Sequence, residues 1–379
     1  MKEPPEQLIP CRIAALGMVS CAGDSGAELL HNLRNGRHGF RTPRHCAAQG
    51  HPAGVIPALD DCREPRGRAL LTCLRERRPP PEVLRRLAMP LFLATTVGEI
   101  ELLEQAGDPD RAPDTNRAML EDARKLFPVG EATLTASACA SGTRALELAA
   151  WSVMSGRSAA AMALGCDTVS SFVLAGFGAL GALSSGAARP YAAGRDGLTL
   201  GEAAAWVVVM RDDLAEELSL PELGRVLAWG ASCDAAHVTA PDTEARQPER
   251  AIRLALTGGK SENLAGIVGH GTGTVYNDAA EVAALRRIFP GPAAPPLFSV
   301  KGVTGHTLGA TGLVQVIAGL SALESGVWPG AECGAAELMA DARPFAAARA
   351  LGGEARDFLS LTVGFGGLND CILIRGGRR

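Results

Sequence analysis

Apolar strand-like runs alternate with alanine-rich helical patterns along most of this chain, and that alternation limits the possible folds more than any other feature. Strand patterns occupy 12–19, 132–138, 159–164, 203–210, 265–269, 297–300, 358–363 and 371–375. Helical patterns occupy 27–35, 87–105, 141–154, 248–256, 278–288 and 312–324. Alternation of this kind predicts an α/β fold in which helices cover the sheets.

Length and composition narrow the class of protein further. At 379 residues the chain can form two core-containing units of about 150 residues each. The net charge of −4 and the aromatic content of 4% argue against a nucleic-acid-binding surface. The sequence has no apolar run of about 18 residues and no apolar segment at its start, so we expect a cytoplasmic protein without a membrane span. The 10 cysteines show no zinc-binding spacing, which predicts free thiols and no metal site.

Cys139 stands between a strand-like run and a helical pattern, in the sequence Ser137-Ala-Cys-Ala-Ser-Gly-Thr143. The start of a helix carries unpaired backbone N–H groups and the positive end of the helix dipole, and both favour the thiolate. Since the thiolate is the nucleophilic form of cysteine, Cys139 is predicted to be a reactive thiol.

Two further clusters place a histidine among glycine and threonine residues. The first follows an apolar strand pattern and has the sequence His270-Gly-Thr-Gly-Thr274, and the second has the sequence Lys301-Gly-Val-Thr-Gly-His306. We expect Lys301 to end a strand and His306 to open a helix, whose dipole would disfavour the imidazolium. A surface position for Lys301 is the simpler alternative. A thiol with two histidines and a lysine suits carbon–carbon bond formation between thioesters.

Cys139, the two histidine clusters and the turn Gly364-Phe-Gly-Gly367 together resemble, in their order, the β-ketoacyl synthases of fatty acid and polyketide assembly. The second histidine favours the elongating Cys-His-His class. The resemblance implies a thiolase-like fold of α-β-α-β-α layers with two similar halves, here 11–213 with the nucleophile and 222–379 with the histidines. It also accounts for a weak internal echo, in which Gly-Phe-Gly occurs at both 176–178 and 364–366.

The resemblance implies specific roles for residues of these motifs. The catalytic group would be Cys139, His270, His306 and Lys301. Phe365 and Gly366 would supply an oxyanion donor and gate the acyl pocket, where glycines allow close backbone approach. Thr272 and Thr274 would bind the pantetheine arm of the substrate.

Asp278 and Glu281 have two interpretations. The resemblance implies that both belong to a buried polar network behind the histidines. The simpler alternative is that they are acids near the start of a helix, which stabilise its dipole.

The implied reaction is a decarboxylative condensation of a carrier-bound acyl chain with a malonyl carrier protein. The implied partners are an acyl carrier protein and either a second copy of the chain or a chain-length-factor-like subunit, with substrates carried on phosphopantetheine and no metal or other cofactor. Two alternatives remain, an acyltransferase that does not condense and a non-catalytic partner subunit. A Cys-His protease is disfavoured, because its mechanism would give His306 and Lys301 no role.

Three segments need separate interpretation, because they fit another motif or differ from the β-ketoacyl synthase pattern. Gly176-Phe-Gly-Ala-Leu-Gly181 fits a dinucleotide fingerprint but lacks the strand–helix–strand context, and it resembles the synthase segment that lines the acyl pocket. Asp108 to Gly130 is shorter than the matching stretch of elongating synthases, so the usual dimer interface and acyl-pocket wall need not apply. Arg41 to Arg86 is predicted to be an excursion from the core, whose arginines form a solvated surface or a docking patch for an acidic carrier protein.

Overall fold

The computed structural model describes residues 8–47, 50–127, 129–259, 261–291, 294–331, 336–352 and 356–377. Its strands are β1 Cys11–Ser20, β2 Ala53–Gly54, β3 Met89–Ala94, β4 Val129–Thr135, β5 Ala160–Asp167, β6 Leu200–Gly201, β7 Ala203–Arg211, β8 Gly224–Cys233, β9 Leu264–Val268, β10 Leu297–Phe298, β11 Val327–Trp328, β12 Arg349–Ala350, β13 Asp357–Gly364 and β14 Leu368–Gly376. Its helices are α1 Gly26–Arg34, α2 Arg66–Arg77, α3 Ile100–Ala106, α4 Thr115–Leu126, α5 Ser141–Met154, α6 Ser171–Ala179, α7 Asp212–Glu217, α8 Arg246–Leu256, α9 Val275–Ile288, α10 Lys301–Thr304 and α11 Thr311–Ser325.

A large sheet organises the molecule, with the strand order β10-β9-β13-β14-β8-β1-β7-β5-β3-β4. It consists of two five-stranded halves that meet at the pair Ile13–Gly224. Counted from the start of each half, both halves have the order third, second, fourth, fifth, first. In both, the second strand is parallel to the third and fourth, and the fifth is antiparallel to the fourth and first. This repeat confirms the predicted α/β fold of two similar halves, while the domain limits 11–213 and 222–379 stay a prediction.

Helices α5 and α11 lie between the two halves of the sheet and contact each other. Their close approach depends on glycine, because a Cβ atom at Gly312 would lie 2.3 Å from the backbone nitrogen of Thr143. Leu146 of α5 and Leu313 of α11 are fully buried in the core that surrounds this contact. Helices α2 and α4 cover the outer face of the first half, and α8 and α9 cover that of the second. The layers are therefore α-β-α-β-α, as the resemblance implies.

The segment Leu308–Ser325, which includes α11, is long and apolar enough to cross a membrane, with a mean hydropathy of 1.3. In this fold 78% of the segment is buried. Its position between the two sheet halves accounts for its apolar composition, because a helix covered on all sides is apolar all round.

The predicted helix over 87–105 is wrong. Met89–Ala94 forms β3, which lies between β4 and β5 and pairs with both in parallel, and helix α3 begins only at Ile100. Pro90 excludes a helix interior, since it lacks the N–H group and clashes with the preceding turn. Buried Met89, Leu91 and Leu93 alternate with half-buried neighbours, which is the period of a strand.

The predicted excursion over Arg41 to Arg86 is also wrong in its central part. Helix α2 packs Leu70, Leu71 and Leu74 into the outer core of the first half, where each is fully buried. Arg66 is buried and lies 2.6 Å from the carboxylate of Glu202. Part of the arginine-rich segment therefore stabilises the fold, and a docking role for its exposed arginines stays a prediction.

Candidate active site

Cys139 lies in a tight turn between β4 and α5. The preceding residue, Ala138, has a φ of 47°, which is a left-handed conformation that non-glycine residues rarely adopt. The Ser141 hydroxyl holds this turn, because Oγ accepts from Ser137 N at 2.8 Å and donates to Ala138 O at 2.6 Å. Since α5 begins two residues after Cys139, the turn presents the sulfur to a cavity of about 350 Å³ at the start of the helix.

The predicted preference of Cys139 for the thiolate is not what the structure gives. Burial raises the pKa of the Cys139 thiol to about 12, although the charge of Lys301 lowers it. The carboxylate of Asp167 also raises this pKa, and the backbone N–H groups of Phe365 and Cys139 lower it. The sulfur is therefore a thiol at neutral pH, because loss of solvation outweighs the helix start. The same two N–H groups are the ones expected to hold an oxyanion, and that role stays a prediction.

His270 follows β9 and is paired with Lys301. The Lys301 ammonium lies 3.3 Å from Nδ1 of His270 and also donates to the His270 carbonyl oxygen. An ammonium group can only donate, so Nδ1 of His270 accepts and its Nε2 carries the proton. Lys301 is 1% exposed and begins α10, three residues after β10 ends. The alternative of a surface lysine is thus wrong, and so is the expectation that Lys301 ends a strand.

His306 has the same tautomer for a different reason. Its Nδ1 accepts from the backbone N–H of Leu308 at 3.2 Å and lies 3.2 Å from the Thr311 hydroxyl. Because Nδ1 accepts a hydrogen bond from an amide, Nε2 of His306 must carry the ring proton. The rings of His270 and His306 are 5.3 Å apart and meet edge to face.

Both imidazoles are neutral. Burial lowers the pKa of His270 and of His306 well below the ordinary 6.5, and the charge of Lys301 lowers both further. The expected cause for His306 was a helix start. A single 3-10 turn, Leu308–Ala310, begins two residues after His306 and leads into α11 at Thr311. The causes that the structure shows for the lowered pKa of His306 are burial and the charge of Lys301. Two neutral rings that line one cavity and carry Nε2–H groups can donate to a developing enolate.

The two carboxylates of α9 hold the His270 loop. Glu281 accepts from His270 N at 2.6 Å, from Gly271 N at 2.8 Å and from the Tyr191 hydroxyl at 2.9 Å. Asp278 accepts from Thr272 N and Tyr191 N, each at 2.8 Å. Both acids are fully buried or nearly so. These contacts favour the network interpretation of Asp278 and Glu281 over simple dipole stabilisation.

Of the remaining predicted residues, Thr272, Thr274 and Phe365 line the cavity and Gly366 lies next to a lining residue. Thr272 and Thr274 line it, with their hydroxyl oxygens 2.9 Å apart. Phe365 also lines it and stacks on Phe177 of α6 at 5.5 Å between ring centroids. Gly366, with a φ of 88°, turns the chain so that its N–H donates to Val238 O. The glycine-rich segment around Phe177 belongs to helix α6 and not to a strand-to-helix turn, which argues against the dinucleotide fingerprint. Phe177 lines the cavity.

Sequence reasoning missed two residues that support the site. Asp167, at the end of β5, is fully buried and accepts from Gly309 N at 2.6 Å. Gln315 of α11 is fully buried, and its amide donates to Leu361 O at 2.8 Å, which fastens α11 to β13. A charged residue that ends an apolar strand, as Asp167 does, is a signal that could have been noticed. The amide of Gln315 gives no comparable signal, because its partners are distant in sequence.

The fold has thiolase-like layers, and it brings a cysteine and two neutral histidines to one cavity. Family profiles described as the β-ketoacyl synthase N-terminal domain and C-terminal domain match residues 129–215 and 223–332. Together these matches span about half of the chain, and the chain belongs to the β-ketoacyl synthase family.

Two named relatives are similar over about half of the chain. Nodulation protein E of Rhizobium meliloti is 35% identical over 197 residues, which are 51% of this chain and 49% of that protein. The 3-oxoacyl-[acyl-carrier-protein] synthase 2 of Staphylococcus aureus (strain COL) is 34% identical over 206 residues, 52% of this chain and 50% of that protein. The matched region thus spans about half the length of these relatives.

Solved structures match over nearly the whole chain. The ishigamide ketosynthase/chain length factor has a TM-score of 0.82 at 26% identity, covering 98% of this chain and 100% of that one. A ketosynthase in complex with its chain length factor from Xenorhabdus doucetiae has a TM-score of 0.77 at 25% identity, covering 100% of both chains.

Proposed function

We propose that this protein is a β-ketoacyl carrier protein synthase, which condenses an acyl chain with a malonyl unit in fatty acid or polyketide assembly. One observation supports this most strongly. The Cys139 sulfur, an adjacent backbone N–H of Phe365 and the two neutral imidazoles meet at a single cavity. A thiol acyltransferase needs only the first two, whereas the histidine pair serves a step that develops enolate charge.

In the loading step, Cys139 Sγ attacks the acyl carbon of a pantetheine thioester. The bond to the pantetheine sulfur breaks, and the proton lost by Cys139 leaves on the pantetheine thiol. The N–H groups of Cys139 and Phe365 stabilise the oxyanion of the intermediate. Thr272 and Thr274 hold the pantetheine arm at the cavity mouth.

In the condensation step, the malonyl thioester loses carbon dioxide while its carbonyl oxygen accepts from Nε2–H of His270 and His306. The enolate carbon then attacks the acyl carbon on Cys139, and the Cys139 sulfur leaves and regains a proton from water. The product is a β-ketoacyl carrier protein two carbons longer than the starting chain. Lys301 keeps His270 in the donating tautomer, and neither step uses a metal or redox group.

The proposed partners are an acyl carrier protein and a second ketosynthase-like subunit, either a copy of this chain or a chain length factor. Strand β4 is at the edge of the sheet, with six of its seven residues exposed or half-buried, so it offers backbone groups for pairing with another subunit. The similarity to ketosynthases solved with a chain length factor supports this arrangement. All nine described cysteines are free, which fits the cytoplasmic location that we propose.

Intact-protein mass after incubation with a panel of acyl carrier thioesters tests the loading step. We expect the wild type and Cys233→Ala, a control that removes an exposed thiol, to gain one acyl group, and Cys139→Ala to gain none. Loading of Cys139→Ala would contradict the assignment of the nucleophile. Release of carbon dioxide from malonyl carrier then separates condensation from simple acyl transfer, and loading without release would favour the acyltransferase.

A further inference from the structure

Asp167 lies at the end of β5 and contacts two segments that are distant in sequence. Its carboxylate accepts from the Thr95 hydroxyl at 2.6 Å, from Thr96 N at 2.9 Å and from Gly309 N at 2.6 Å. The side chain is fully buried. Asp167 therefore connects the first half of the molecule to the turn of the second half that follows His306.

That turn has an unfavourable backbone conformation. Leu308 has a φ of 48°, although a leucine in the left-handed region costs about 1 kcal/mol or more. Such a residue persists only where its surroundings hold it. Gly309 is next to it, and a Cβ atom there would lie 2.6 Å from Oδ2 of Asp167, so only glycine allows the carboxylate to approach the backbone.

The conformation of this turn decides the protonation pattern of His306. With Leu308 held in the left-handed region, its N–H donates to Nδ1 of His306 at 3.2 Å. If the turn relaxed, that amide would move away from the ring. Nδ1 could then hold the proton, and Nε2 would be an acceptor toward the cavity.

We infer that Asp167 is a positioning residue for condensation, which fixes the Nε2–H tautomer of His306 through the Leu308–Gly309 turn. The inference rests on the proposed function, because only decarboxylation needs His306 as a donor. It assigns Asp167 no contact with substrate. It predicts that hydrogen-bond acceptance by Asp167, rather than its charge, supports the reaction.

Two variants separate hydrogen-bond acceptance by Asp167 from its negative charge. Asp167→Leu removes both acceptor oxygens at similar size, and we expect its kcat for malonyl decarboxylation to fall about tenfold or more, with little change in KM. Asp167→Asn keeps one oxygen for Gly309 N–H, and we expect it to stay within about threefold of the wild type. Acyl loading at Cys139 should persist in both variants.

The deciding measurement is ¹⁵N NMR of the histidine side chains, with His306→Ala used to assign the signals. We expect the Nε2–H tautomer of His306 in the wild type and Asp167→Asn, and a mixture of tautomers in Asp167→Leu. Asp357→Leu is the matched control, because it also removes a buried carboxylate, in this case one paired with Arg375. Asp357 begins β13, whose other end, Gly364, lines the cavity, so this change should leave His306 unchanged.

An unchanged His306 tautomer in folded Asp167→Leu would overturn the inference, as would a loss in Asp167→Asn equal to that in Asp167→Leu. If Asp167→Leu does not fold, the wild type decides alone, since an Nδ1–H or doubly protonated His306 at pH 7 contradicts the inference. These outcomes are independent of the proposed function, which fails separately if the wild type neither loads acyl groups nor decarboxylates malonyl carrier.

Discussion

The two histidines line the same cavity, but different parts of the chain hold them. The His270 loop is held by Asp278 and Glu281, which follow it within 11 residues on α9. The His306 turn is held by Asp167, which precedes it by 139 residues and belongs to the other half of the sheet. In His270 the side chain of Lys301 donates to Nδ1 and so selects the tautomer, whereas in His306 a backbone amide does so.

This difference shows two ways in which a neutral imidazole can be kept as a donor. A local acid pair holds a glycine-rich loop through its backbone N–H groups, and a buried cation then fixes the ring. In the other case a long-range carboxylate holds a strained turn, whose own amide fixes the ring. The first arrangement depends on residues close in sequence, and the second depends on correct packing of the two halves.

The largest effects are expected when either histidine is removed, and they test whether the two rings contribute equally to decarboxylation. His270→Ala and His306→Ala should each lower malonyl decarboxylation by about 10²–10³-fold, because each removes one donor to the enolate. Acyl loading at Cys139 should change far less, as measured by intact mass. Loss of loading in only one variant would mean that this histidine also serves the thiol, and the two rings would not be equivalent.

Glu281→Gln tests the local support of the His270 loop. The amide NH₂ cannot accept from the loop N–H groups, so we expect the free energy of unfolding to fall by about 2 kcal/mol, measured in urea. Glu121→Gln, which alters the exposed pair with Arg117, should change it by less than about 1 kcal/mol.

The pH dependence of that stability sharpens the same test. Burial raises the pKa of Glu281 from 4.5 to about 7. The folded state therefore holds this proton more tightly than the unfolded state, and the resulting stabilisation, present below pH 4.5, is lost as pH rises through 7. Glu281→Gln should lack this contribution. An identical slope in both proteins would contradict the raised pKa.

Lys301→Met tests the difference between the two rings directly. Lys301 lowers the pKa of both histidines, and its ammonium lies 3.3 Å from Nδ1 of the His270 ring. We expect the pKa of His270 to rise and that of His306 to rise less, as measured by NMR titration, because the positive charge near both rings is removed. Equal rises would show that distance from Lys301 does not distinguish the two rings.

The smallest effect is expected for Thr311→Val. This change removes one hydroxyl near Nδ1 of His306 and keeps the Leu308 amide, so decarboxylation should fall by about threefold, near 0.5–1 kcal/mol. Thr307→Val, which loses the hydroxyl that contacts Thr311 rather than the ring, is the control and should be closer to the wild type. A loss as large as that of His306→Ala would mean that Thr311, and not the turn, holds the ring.

Sequence patterns correctly predicted the helix that follows Cys139 and the helix that follows His306. Helix α5 occupies 141–154 as expected, and α11 differs from the expected range by one residue at each end. The pattern failed at 87–105, where sheet pairing around Pro90 overrides an apparently helical composition. It also failed for the ionisation of Cys139, because burial depends on what the rest of the chain places over the thiol.

The sequence by itself determined the α/β class, the motifs that carry Cys139, His270, Lys301 and His306, and the resemblance to a known family. Spacing within a motif controls these features, because a strand followed by a glycine-rich turn places its polar residues at a strand end. Only the tertiary structure decided which groups set the charge and tautomer of those residues. Lys301 meets His270 across 31 residues within the second half, so this contact arises when that half folds. Asp167 meets the His306 turn and Phe365 meets Cys139 across 142 and 226 residues, so these contacts arise only when the two halves pack together.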